Sequence, residues 1–421
     1  MKIVIIGGGL IGITTAYLLA RRGHEITVLD REEGPGLGAS FANGAILTPS
    51  MAEPWNTPGC WRVLLLSVGR SHAPMQLRLG ALPSLAGWGI QFLRNSRAPA
   101  FERNALSNMR LALYSLEIIS LLREELHLDY GHRARGALRV FRTEEALESA
   151  RARAAYLLAR GLPLRELTCT ETVKLEPALA PIVAGLAGAI HYESDETGDA
   201  YRFCVSLTEH ARRLGVSFCF GSPVDAFEST AKWITAAVSY GQRFVADRFI
   251  VAAGSYSTPL VRRLGIRLPV RPVKGYSVTL ERAQESHSLR VPIIDDDLHA
   301  VVAPIGTSIR VAGTAEFAGF DDRLNPERIR NLVDLFRKVL PEAQVDLKTA
   351  KPWSGLRAMS VDGVPLIGAT PIENLMVSTG HGHLGWTMAA GSARLLADLV
   401  TGESPSIDPA PYDPNRFALA R

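Results

Sequence analysis

The sequence predicts an α/β fold in which one domain is assembled from both ends of the chain. Two glycine-rich junctions between a strand and a helix, at residues 7–12 and 380–385, lie at opposite ends of the 421 residues. Between them, residues 270–313 contain runs that alternate between apolar and polar side chains, which is typical of an antiparallel sheet. The predicted architecture is therefore a discontinuous α/β domain with an antiparallel-sheet domain inserted into it.

The first junction has the features of a dinucleotide site. Residues 2–6 read KIVII, and Gly7, Gly9 and Gly12 follow at once in the spacing G-x-G-x-x-G. In such a unit the first glycine permits a tight turn and the second lets the backbone approach a pyrophosphate. The third glycine allows the helix to pack closely on the strand.

The same unit closes on a second apolar strand that ends in an acid. Residues 26–29 read ITVL and precede Asp30 and Arg31. A carboxylate at this position can accept hydrogen bonds from ribose hydroxyls. Leu10 and Ile11 open the helix and offer free N–H groups to the phosphates. Strand, glycines, helix, strand and acid in this order predict a dinucleotide site, and they leave both FAD and NAD open.

Small residues at two further places let the backbone approach the same ligand. Residues 39–45 read ASFANGA, and an apolar strand at 248–252 ends in two small residues. An ordinary turn is the alternative interpretation of the first segment. The candidate cofactor contacts from these regions are Ser40, Asn43, Gly44, Ala45, Ala253 and Gly254, together with Val224.

The second junction follows an apolar strand at residues 375–378 and precedes a helix over 386–399. Its helix would place another N-terminus, with its positive dipole end, against the same cofactor. The backbone of this loop is a better candidate for binding than either of its imidazoles. The candidate cofactor contacts are Gly380, Gly382, His383, Leu384 and Gly385, and His381 is a candidate catalytic residue.

Periodicity elsewhere predicts further helices and the domain boundaries. Helices are expected over residues 104–127, 144–160, 199–214 and 326–340, the last with Asn325 before Pro326 as an N-terminal signal. The predicted nucleotide-binding domain comprises residues 1–85, 145–265 and 350–421, and the predicted substrate-binding domain comprises residues 86–144 and 266–349.

Composition narrows the class of protein. The net charge of +4 is too small to argue for a nucleic-acid partner. The four cysteines form no C-x-x-C pair, so neither a zinc nor an iron–sulfur site is expected. We see no signal peptide and no run of about 18 uninterrupted apolar residues. These features predict a cytoplasmic protein, either soluble or peripheral on a membrane.

Residues 54–98 are rich in aromatic, leucine and arginine side chains and contain no acidic residue. The arginines would attract anionic lipid while Trp61, Trp88 and Phe92 enter the interface, which predicts contact with the inner face of the cytoplasmic membrane. The alternative interpretation is a pair of buried helices with solvated arginines.

Segments along nearly the whole chain resemble the FAD-dependent D-amino acid oxidase superfamily, and within it the small subunits of bacterial D-amino acid dehydrogenases. They occur in collinear order. The matching segments are residues 7–12 with Asp30, 40–43 (SFAN), 195–199 (DETGD), 271–277 (RPVKGYS), 312–321 (AGTAEFAGFD), 353–357 (WSGLR), 362–365 (DGVP), 379–382 (TGHG) and 384–388 (LGWTM).

The resemblance implies FAD at the first junction, in a glutathione-reductase-like Rossmann domain that an antiparallel-sheet substrate domain covers. It implies oxidative deamination of D-amino acids, in which a hydride leaves the substrate Cα for flavin N5. The resulting imine is hydrolysed to a 2-oxo acid and ammonia. In dehydrogenase members the electrons pass to a respiratory quinone, so a quinone-type acceptor and partner subunits are also expected.

The resemblance further implies roles for individual residues. Arg357 falls where related amine oxidases carry the arginine that binds the substrate carboxylate, and a guanidinium fork suits this task. Tyr276 is a second catalytic candidate, whose hydroxyl would reach that carboxylate or cap the pocket, and the alternative interpretation is a strand tyrosine that packs on the sheet. His381 matches the family, whereas His383 stands where small or hydroxylated residues are more usual. No general base is nominated, because hydride transfer depends mainly on alignment.

Departures from the family pattern favour altered specificity. Ala358 follows Arg357 where relatives usually carry proline, and residues 43–47 (NGAIL) also differ. A cyclic imino acid such as D-proline or D-hydroxyproline is therefore a second candidate substrate. The sequence also leaves open a glycine- or sarcosine-type oxidase that produces hydrogen peroxide, a flavin electron-relay subunit, and an NAD-binding dehydrogenase.

Overall fold

The protein is described by a computed structural model that covers residues 1–67, 75–282 and 289–417. The helices are α1 (Leu10–Arg21), α2 (Cys60–Leu66), α3 (Leu82–Arg94), α4 (Ala98–Leu126), α5 (Glu144–Leu158), α6 (Cys169–Leu175), α7 (Ala200–Arg213), α8 (Ser257–Arg262), α9 (Pro326–Val339) and α10 (Gly385–Thr401). The strands are β1 (Lys2–Ile6), β2 (Glu25–Leu29), β3 (Ile46–Leu47), β4 (Met75–Leu77), β5 (Ala137–Phe141), β6 (Leu164–Leu167), β7 (Gly188–Tyr192), β8 (Glu196–Thr197), β9 (Ser217–Cys219), β10 (Ala226–Ser229), β11 (Ile234–Ser239), β12 (Gln242–Phe244), β13 (Arg248–Val251), β14 (Val270–Arg282), β15 (Ile293–Asp295), β16 (Ala300–Ile305), β17 (Ser308–Phe317), β18 (Val345–Ser360), β19 (Leu366–Ala369) and β20 (Leu375–Thr379).

Strands from both ends of the chain form one six-stranded sheet in the order β19-β20-β13-β1-β2-β9. All neighbours are parallel except β19 and β20. Alternate residues of β1 face opposite layers, as a strand requires. Ile3 and Ile5 pack with α1, α4, α7 and α10, whereas Val4 and Ile6 pack with the small sheet of β10, β11 and β12. The predicted discontinuous α/β domain is thereby confirmed.

A second, nine-stranded sheet is largely antiparallel and carries the long strands β14 and β18. Its order is β18-β14-β17-β16-β15-β5-β7-β6, and β4 pairs with β17. Helix α9 covers part of this sheet through Leu332 and Phe336, both fully buried. It begins as predicted, because Asn325 Oδ1 accepts a hydrogen bond from the backbone N–H of Glu327 at 3.0 Å.

The sheets divide the chain differently from the predicted boundaries at several places. Strands β6 and β7 lie in the nine-stranded sheet, although residues 145–265 are predicted to belong to the nucleotide-binding domain. Helix α4 packs against α10, although residues 86–144 are predicted to belong to the substrate-binding domain. A Cβ at Gly391 would lie 2.9 Å from the backbone nitrogen of Ser115, so the two helices approach closely. Apolar periodicity predicts a helix but does not show which layer it covers.

Among the described residues, α4 is long and apolar enough by length and composition to cross a membrane. However, 61% of the most apolar 18-residue stretch of α4 is buried inside the protein. Leu111, Ile119 and Leu122 are almost fully buried in the cluster that also contains α10. These contacts are those of a core helix.

Residues 54–98 are only partly as predicted. Trp88 is 7% exposed and its Nε1 donates to the carbonyl of Pro269 at 3.0 Å, and Phe92 is 3% exposed. The two rings stack with centroids 4.9 Å apart. The prediction that they enter a membrane interface is wrong, because both lie on the inner face of α3. Trp61 is 48% exposed, and residues 68–74 of this segment lie outside the described residues.

Candidate active site

A cavity of about 1230 Å³ lies between the six-stranded and nine-stranded sheets. It is lined by Gly7 and Gly9 at one region, by Ala253 at the end of β13, and by Arg357 of β18. Binding sites for single small molecules usually measure about 300–1,000 Å³. The cavity is therefore large enough for a dinucleotide together with a small substrate.

The first glycine junction is built for close approach of backbone. Gly7 has φ of +120°, and a Cβ on it would lie 2.4 Å from the carbonyl oxygen of Ala252. A Cβ on Gly12 would lie 1.8 Å from the carbonyl oxygen of Gly7. A Cβ on Gly9 would meet only the hydroxyl of Ser40, at 3.3 Å. Gly7 and Gly12 are thus required by packing, whereas Gly9 leaves space at the cavity wall.

This contrast predicts different outcomes for two alanine substitutions. Gly12→Ala is expected to abolish FAD binding and to destabilise the fold by more than about 3 kcal/mol, because backbone must move to admit the methyl group. Gly9→Ala is expected to fold normally and to bind FAD more weakly. Flavin absorbance relative to protein absorbance, with urea unfolding of each variant, measures both effects. Normal flavin content in Gly12→Ala would contradict this description of the junction.

Asp30 stands at the end of β2 beside this junction. Its carboxylate accepts hydrogen bonds from the N–H groups of Gly8 and Glu32, the latter at 2.8 Å. Burial raises the pKa of Asp30, and these backbone bonds act in the opposite direction. The Arg31 guanidinium lies 3.7 Å from the centre of the Tyr256 ring. Acid and arginine are thus both held at the cavity wall, where the acid can accept a hydrogen bond from a ribose hydroxyl.

The N-terminus of α1 is contacted by a side chain from a later segment. The N–H of Leu10 donates to Ser40 Oγ at 3.2 Å. This N–H group is predicted to be free for the phosphates, and in the structure it is partly engaged. Ser40 therefore links residues 39–45 to the helix N-terminus and brings both segments to the cavity.

The second junction reaches the cavity from the opposite end of the sequence. Helix α10 begins at Gly385, and its first turn contains no acidic residue, so its positive end is not neutralised locally. Thr387 Oγ1 accepts a hydrogen bond from the N–H of Thr48 at 3.0 Å. A β-bridge joins His381 to Met359, two residues beyond Arg357. The junction, the helix N-terminus and β18 are therefore held together.

Both histidines of the junction are uncharged near neutral pH. Burial lowers the pKa of His381 to about 3, and its Nε2 lies 2.9 Å from Ser392 Oγ. Burial and the nearby charge of Arg357 lower the pKa of His383 to about 4. His383 Nε2 donates to the carbonyl of Met51 at 3.3 Å, and its ring stacks on Trp55 with centroids 5.1 Å apart. Neither histidine therefore adds positive charge to the cavity.

Arg357 is the cation of this region, and its pKa is lowered to about 10 by burial, so it stays protonated at neutral pH. Its Nη1 donates to the carbonyl of Thr314 at 3.1 Å, and its Cζ lies 5.5 Å from the centre of the Trp55 ring. No carboxylate within salt-bridge distance of Arg357 occurs among the described residues. A half-buried guanidinium without a carboxylate partner is able to bind an anion.

Gly275 of β14 makes room for this guanidinium. A Cβ on Gly275 would lie 2.2 Å from Nη1 and 2.3 Å from Cζ of Arg357. Gly275 pairs with Gly355 across the two strands. The role of Gly275 was not predicted, although a glycine inside a strand is itself a signal of close approach by another group.

Tyr276 contributes to the cavity wall, but its hydroxyl is already engaged. It donates to Glu316 Oε2 at 2.5 Å, and Glu316 also pairs with Arg78 and with Lys274, the latter at 3.6 Å. Burial and the Glu316 carboxylate raise the pKa of Tyr276. This hydrogen bond supports the interpretation of Tyr276 as a packing residue over a direct contact to the substrate carboxylate.

The sequence of the chain matches the profile of a protein family described as FAD dependent oxidoreductase (DAO) over residues 2–399. A D-amino acid dehydrogenase of Paramagnetospirillum magneticum is 40% identical over 408 residues, covering 97% of this chain and 96% of that protein.

The chain belongs to the DAO family of FAD-dependent oxidoreductases.

Further relatives agree with this membership. A D-amino acid dehydrogenase of Granulibacter bethesdensis is 39% identical over 418 residues, 99% of this chain and all of that protein. Among solved structures, glycine oxidase from Geobacillus kaustophilus has a TM-score of 0.78 at 23% identity, with 99% and 100% of the two chains covered. L-proline dehydrogenase from P. horikoshii has a TM-score of 0.77 at 18% identity, with 99% and 97% covered. The two structures establish the fold.

The residues of this DAO-family protein fit FAD, which confirms the expectation of FAD in place of NAD. The glycine junction, the half-buried Asp30 and a second helix N-terminus line one continuous cavity. Its wall also contains most of the remaining predicted cofactor and catalytic residues, namely Leu10, Ile11, Arg31, Ser40, Asn43, Gly44, Val224, Ala253, Gly254, Tyr276, Arg357, His381, Gly382, His383 and Gly385.

Four predicted cofactor residues lie behind the wall. Gly12 packs against Gly7, and a Cβ on Gly380 would lie 2.8 Å from Leu366 Cδ1. Ala45 and Leu384 are buried at 1% and 2% exposure. They shape the backbone around the cavity without lining it.

The cavity also has a charged region that was not predicted. Arg153 lies 4.0 Å from Glu53 and 3.6 Å from Asp296, and Arg139 pairs with Asp296 as well. These residues come from separate parts of the chain, and each by itself has the pattern of a surface charge. The region is electrically balanced, in contrast to the surroundings of Arg357.

Asp195 supports the cavity from behind. Its carboxylate accepts hydrogen bonds from the Ser50 hydroxyl at 2.5 Å and the Ser50 N–H at 3.3 Å, next to Met51 in the cavity wall. Burial raises the pKa of Asp195 to about 7. Between about pH 4 and pH 7 the folded protein therefore binds a proton that the unfolded chain does not, and this group stabilises the fold less as pH rises.

Asp195→Asn is expected to remove that contribution. The free energy of unfolding of the variant, relative to the wild type, should increase from pH 5 to pH 8 by about 1–3 kcal/mol. Urea unfolding at the two pH values measures it, with the exposed substitution Glu342→Gln as a control that shows no such trend. A relative stability of Asp195→Asn that falls over this interval would contradict the assignment.

Proposed function

We propose that this protein is an FAD-dependent dehydrogenase of D-amino acids that performs oxidative deamination. The observation that carries the proposal is Arg357, a half-buried guanidinium in the cavity wall that has no carboxylate partner among the described residues. An α-amino acid supplies the missing carboxylate. The relatives that are named D-amino acid dehydrogenase support the substrate class.

The protein residues bind and orient the substrate in this mechanism. Arg357 holds the substrate carboxylate, and Thr314 O and Trp55 hold the guanidinium in place. When bound, FAD supplies the acceptor for the hydride that leaves Cα. Because alignment supplies most of the rate in such a transfer, fixing the carboxylate is the main contribution of the protein.

The substrate amine must be neutral before Cα can lose a hydride. His381 and His383 are uncharged at pH 7, so they do not repel the amine electrostatically, and its proton can leave to solvent. Loss of the hydride from Cα leaves a protonated imine. Water then adds to the imine carbon and ammonia departs, which yields the 2-oxo acid.

Product analysis tests this reaction. The holoenzyme is incubated with D-alanine, D-methionine or their L-enantiomers and with a soluble quinone analogue. The proposal predicts equal amounts of 2-oxo acid, ammonia and reduced quinone from the D-enantiomers. Absence of 2-oxo acid from every D-amino acid would contradict it.

Cyclic imino acids are a second candidate substrate class. Ala358 lines the cavity directly after Arg357, and it pairs with Pro272 of β14. Alanine is smaller and less rigid than the proline that relatives usually carry at this position, so it leaves room beside the guanidinium of Arg357. D-proline and D-hydroxyproline therefore belong in the same substrate panel, where their oxidation would yield a cyclic imine and reduced quinone without release of ammonia. Quinone reduction by these substrates alone would favour this class over primary amino acids.

A quinone in a membrane is the electron acceptor that we propose. On α3, Ile90 and Leu93 are 56% and 40% exposed, opposite the buried Trp88 and Phe92. Trp61 on α2 is exposed as well, and Arg62, Arg94 and Arg97 are exposed or partly exposed near these side chains in sequence. Exposed apolar side chains with arginines suit the inner face of an anionic membrane. This proposal places the protein at the cytoplasmic side of the membrane.

Liposome flotation tests the membrane contact. A triple variant, Trp61→Ser, Ile90→Ser and Leu93→Ser, should stay in solution with vesicles of anionic lipid, whereas the wild type should float. Activity with a soluble quinone should be unchanged, because none of the three side chains lines the cavity. Equal flotation of both proteins would remove the membrane proposal.

Readmitting oxygen to the reduced enzyme, compared with adding quinone, distinguishes a dehydrogenase from a peroxide-producing oxidase.

A further inference from the structure

The cavity extends from Arg357 toward residues 54–98. Arg357 is held by the carbonyl of Thr314, and the next residue, Ala315, pairs in parallel register with Met75 of β4. Neighbouring strands lie about 4.8 Å apart. Met75 therefore lies one strand spacing from Ala315, the residue that follows Thr314, whose carbonyl holds the guanidinium of Arg357. Trp55 contacts Arg357 from the same segment.

The part of the cavity near Met75 is apolar. Cys60 and Leu64 of α2 and Phe92 of α3 line it together with Met75 and Trp55. All five belong to one hydrophobic cluster. Among the described residues of the segment 54–98 that line the cavity, none is charged. Glu53 precedes the segment and lies in the balanced charged region beside Arg153.

We propose that Trp55, Cys60, Leu64, Met75 and Phe92 form the side-chain compartment of the substrate site, and that this compartment selects D-amino acids with large apolar side chains. The inference rests on the proposed function and adds the substrate class. In this proposal the cavity-lining side chains of the segment 54–98 determine substrate specificity, whereas its exposed side chains contact the membrane.

The chemistry of the compartment explains the expected selectivity. Each methylene of a substrate that fits an apolar pocket raises kcat/KM by about tenfold or more. A charged side chain would lose its hydration there without gaining a partner. D-methionine and D-phenylalanine should therefore exceed D-alanine by at least about tenfold in kcat/KM, and D-glutamate and D-lysine should fall below D-alanine.

Anaerobic reduction of the bound flavin by this panel of D-amino acids tests the inference in the holoenzyme. Met75→Asp should reduce the rate constant for D-methionine by at least about tenfold and should raise the rate constant for D-lysine, because a carboxylate in the compartment attracts its ammonium group. Met75→Phe keeps the compartment apolar and fills it, so it should slow D-phenylalanine more than D-alanine. The matched control is Ile90→Asp, the same kind of change on the exposed face of α3.

The outcomes separate the inference from the proposed function. If D-alanine reduces the wild-type flavin but the side chain of the substrate has no effect, the compartment is wrong and the proposed function stands. Equal changes for all substrates in both Met75 variants would also overturn the compartment, because a specificity residue acts unequally. If no amino acid reduces the wild-type flavin, the proposed function fails and the inference fails with it.

Discussion

Replacing Arg357 with alanine is expected to lower kcat/KM for D-amino acids about a thousandfold while FAD stays bound. Two charge-assisted hydrogen bonds to a carboxylate contribute about 3–6 kcal/mol together, which corresponds to a factor of about 10² to 10⁴. The glycine junctions that surround FAD do not depend on this side chain. Steady-state kinetics and flavin absorbance measure the two quantities separately.

A substrate without a carboxylate sharpens this test. The wild type should strongly prefer D-alanine to D-alaninamide, and Arg357→Ala should lose that preference. Arg151→Gln is a matched control, since Arg151 is an exposed arginine whose partners are Glu148 and Glu166. If Arg357→Ala still discriminated between acid and amide as the wild type does, the carboxylate would be bound elsewhere.

Gly275→Ala is expected to lower kcat/KM about a hundredfold without unfolding the protein. The added methyl group would overlap the guanidinium of Arg357, with 2.2 Å to Nη1, and a flexible side-chain end moves more easily than backbone. The displaced guanidinium would no longer be aligned with the carboxylate, and small misplacements of this kind cost about 10²-fold. Gly275→Ala should retain only part of the wild-type preference for D-alanine over D-alaninamide.

Gly185→Ala is the control for this prediction, because nothing lies within 4 Å of a Cβ at Gly185. Both variants should have wild-type flavin content and thermal stability. Combining Gly275→Ala with Arg357→Ala should add little to the effect of the arginine substitution, since the two act through one guanidinium. A fully additive double variant would contradict the described contact.

The fold was predictable because its signals are local. Gly7, Gly9 and Gly12 between two strands specify a β-α-β unit within thirty residues, and Asn325 with Pro326 marks the start of α9. The assignment of helices to layers was less predictable. The sequence of α4 shows an apolar face, but only the close approach of Gly391 to Ser115 explains why that face packs on α10.

The site was predictable where the chemistry is carried by backbone or by a single side chain. Arg357 and the two glycine junctions line one cavity, as their order in the family pattern suggested. The partner of Tyr276 was not predictable, because Glu316 reaches it from another strand. Trp88 and Phe92 likewise have the composition of a membrane-facing segment, and only the stacking of α3 on the second sheet shows that they face inward.

We propose that the cavity binds an amino acid by its carboxylate and that the protein oxidises it with FAD. Anaerobic mixing of the purified holoenzyme with D-methionine, without any added acceptor, tests it most directly. We expect complete bleaching of the flavin absorbance, no bleaching with the same concentration of L-methionine, and at least about a hundredfold slower bleaching in Arg357→Ala. Persistence of the oxidised flavin spectrum with D-methionine and with every other D-amino or D-imino acid would contradict it.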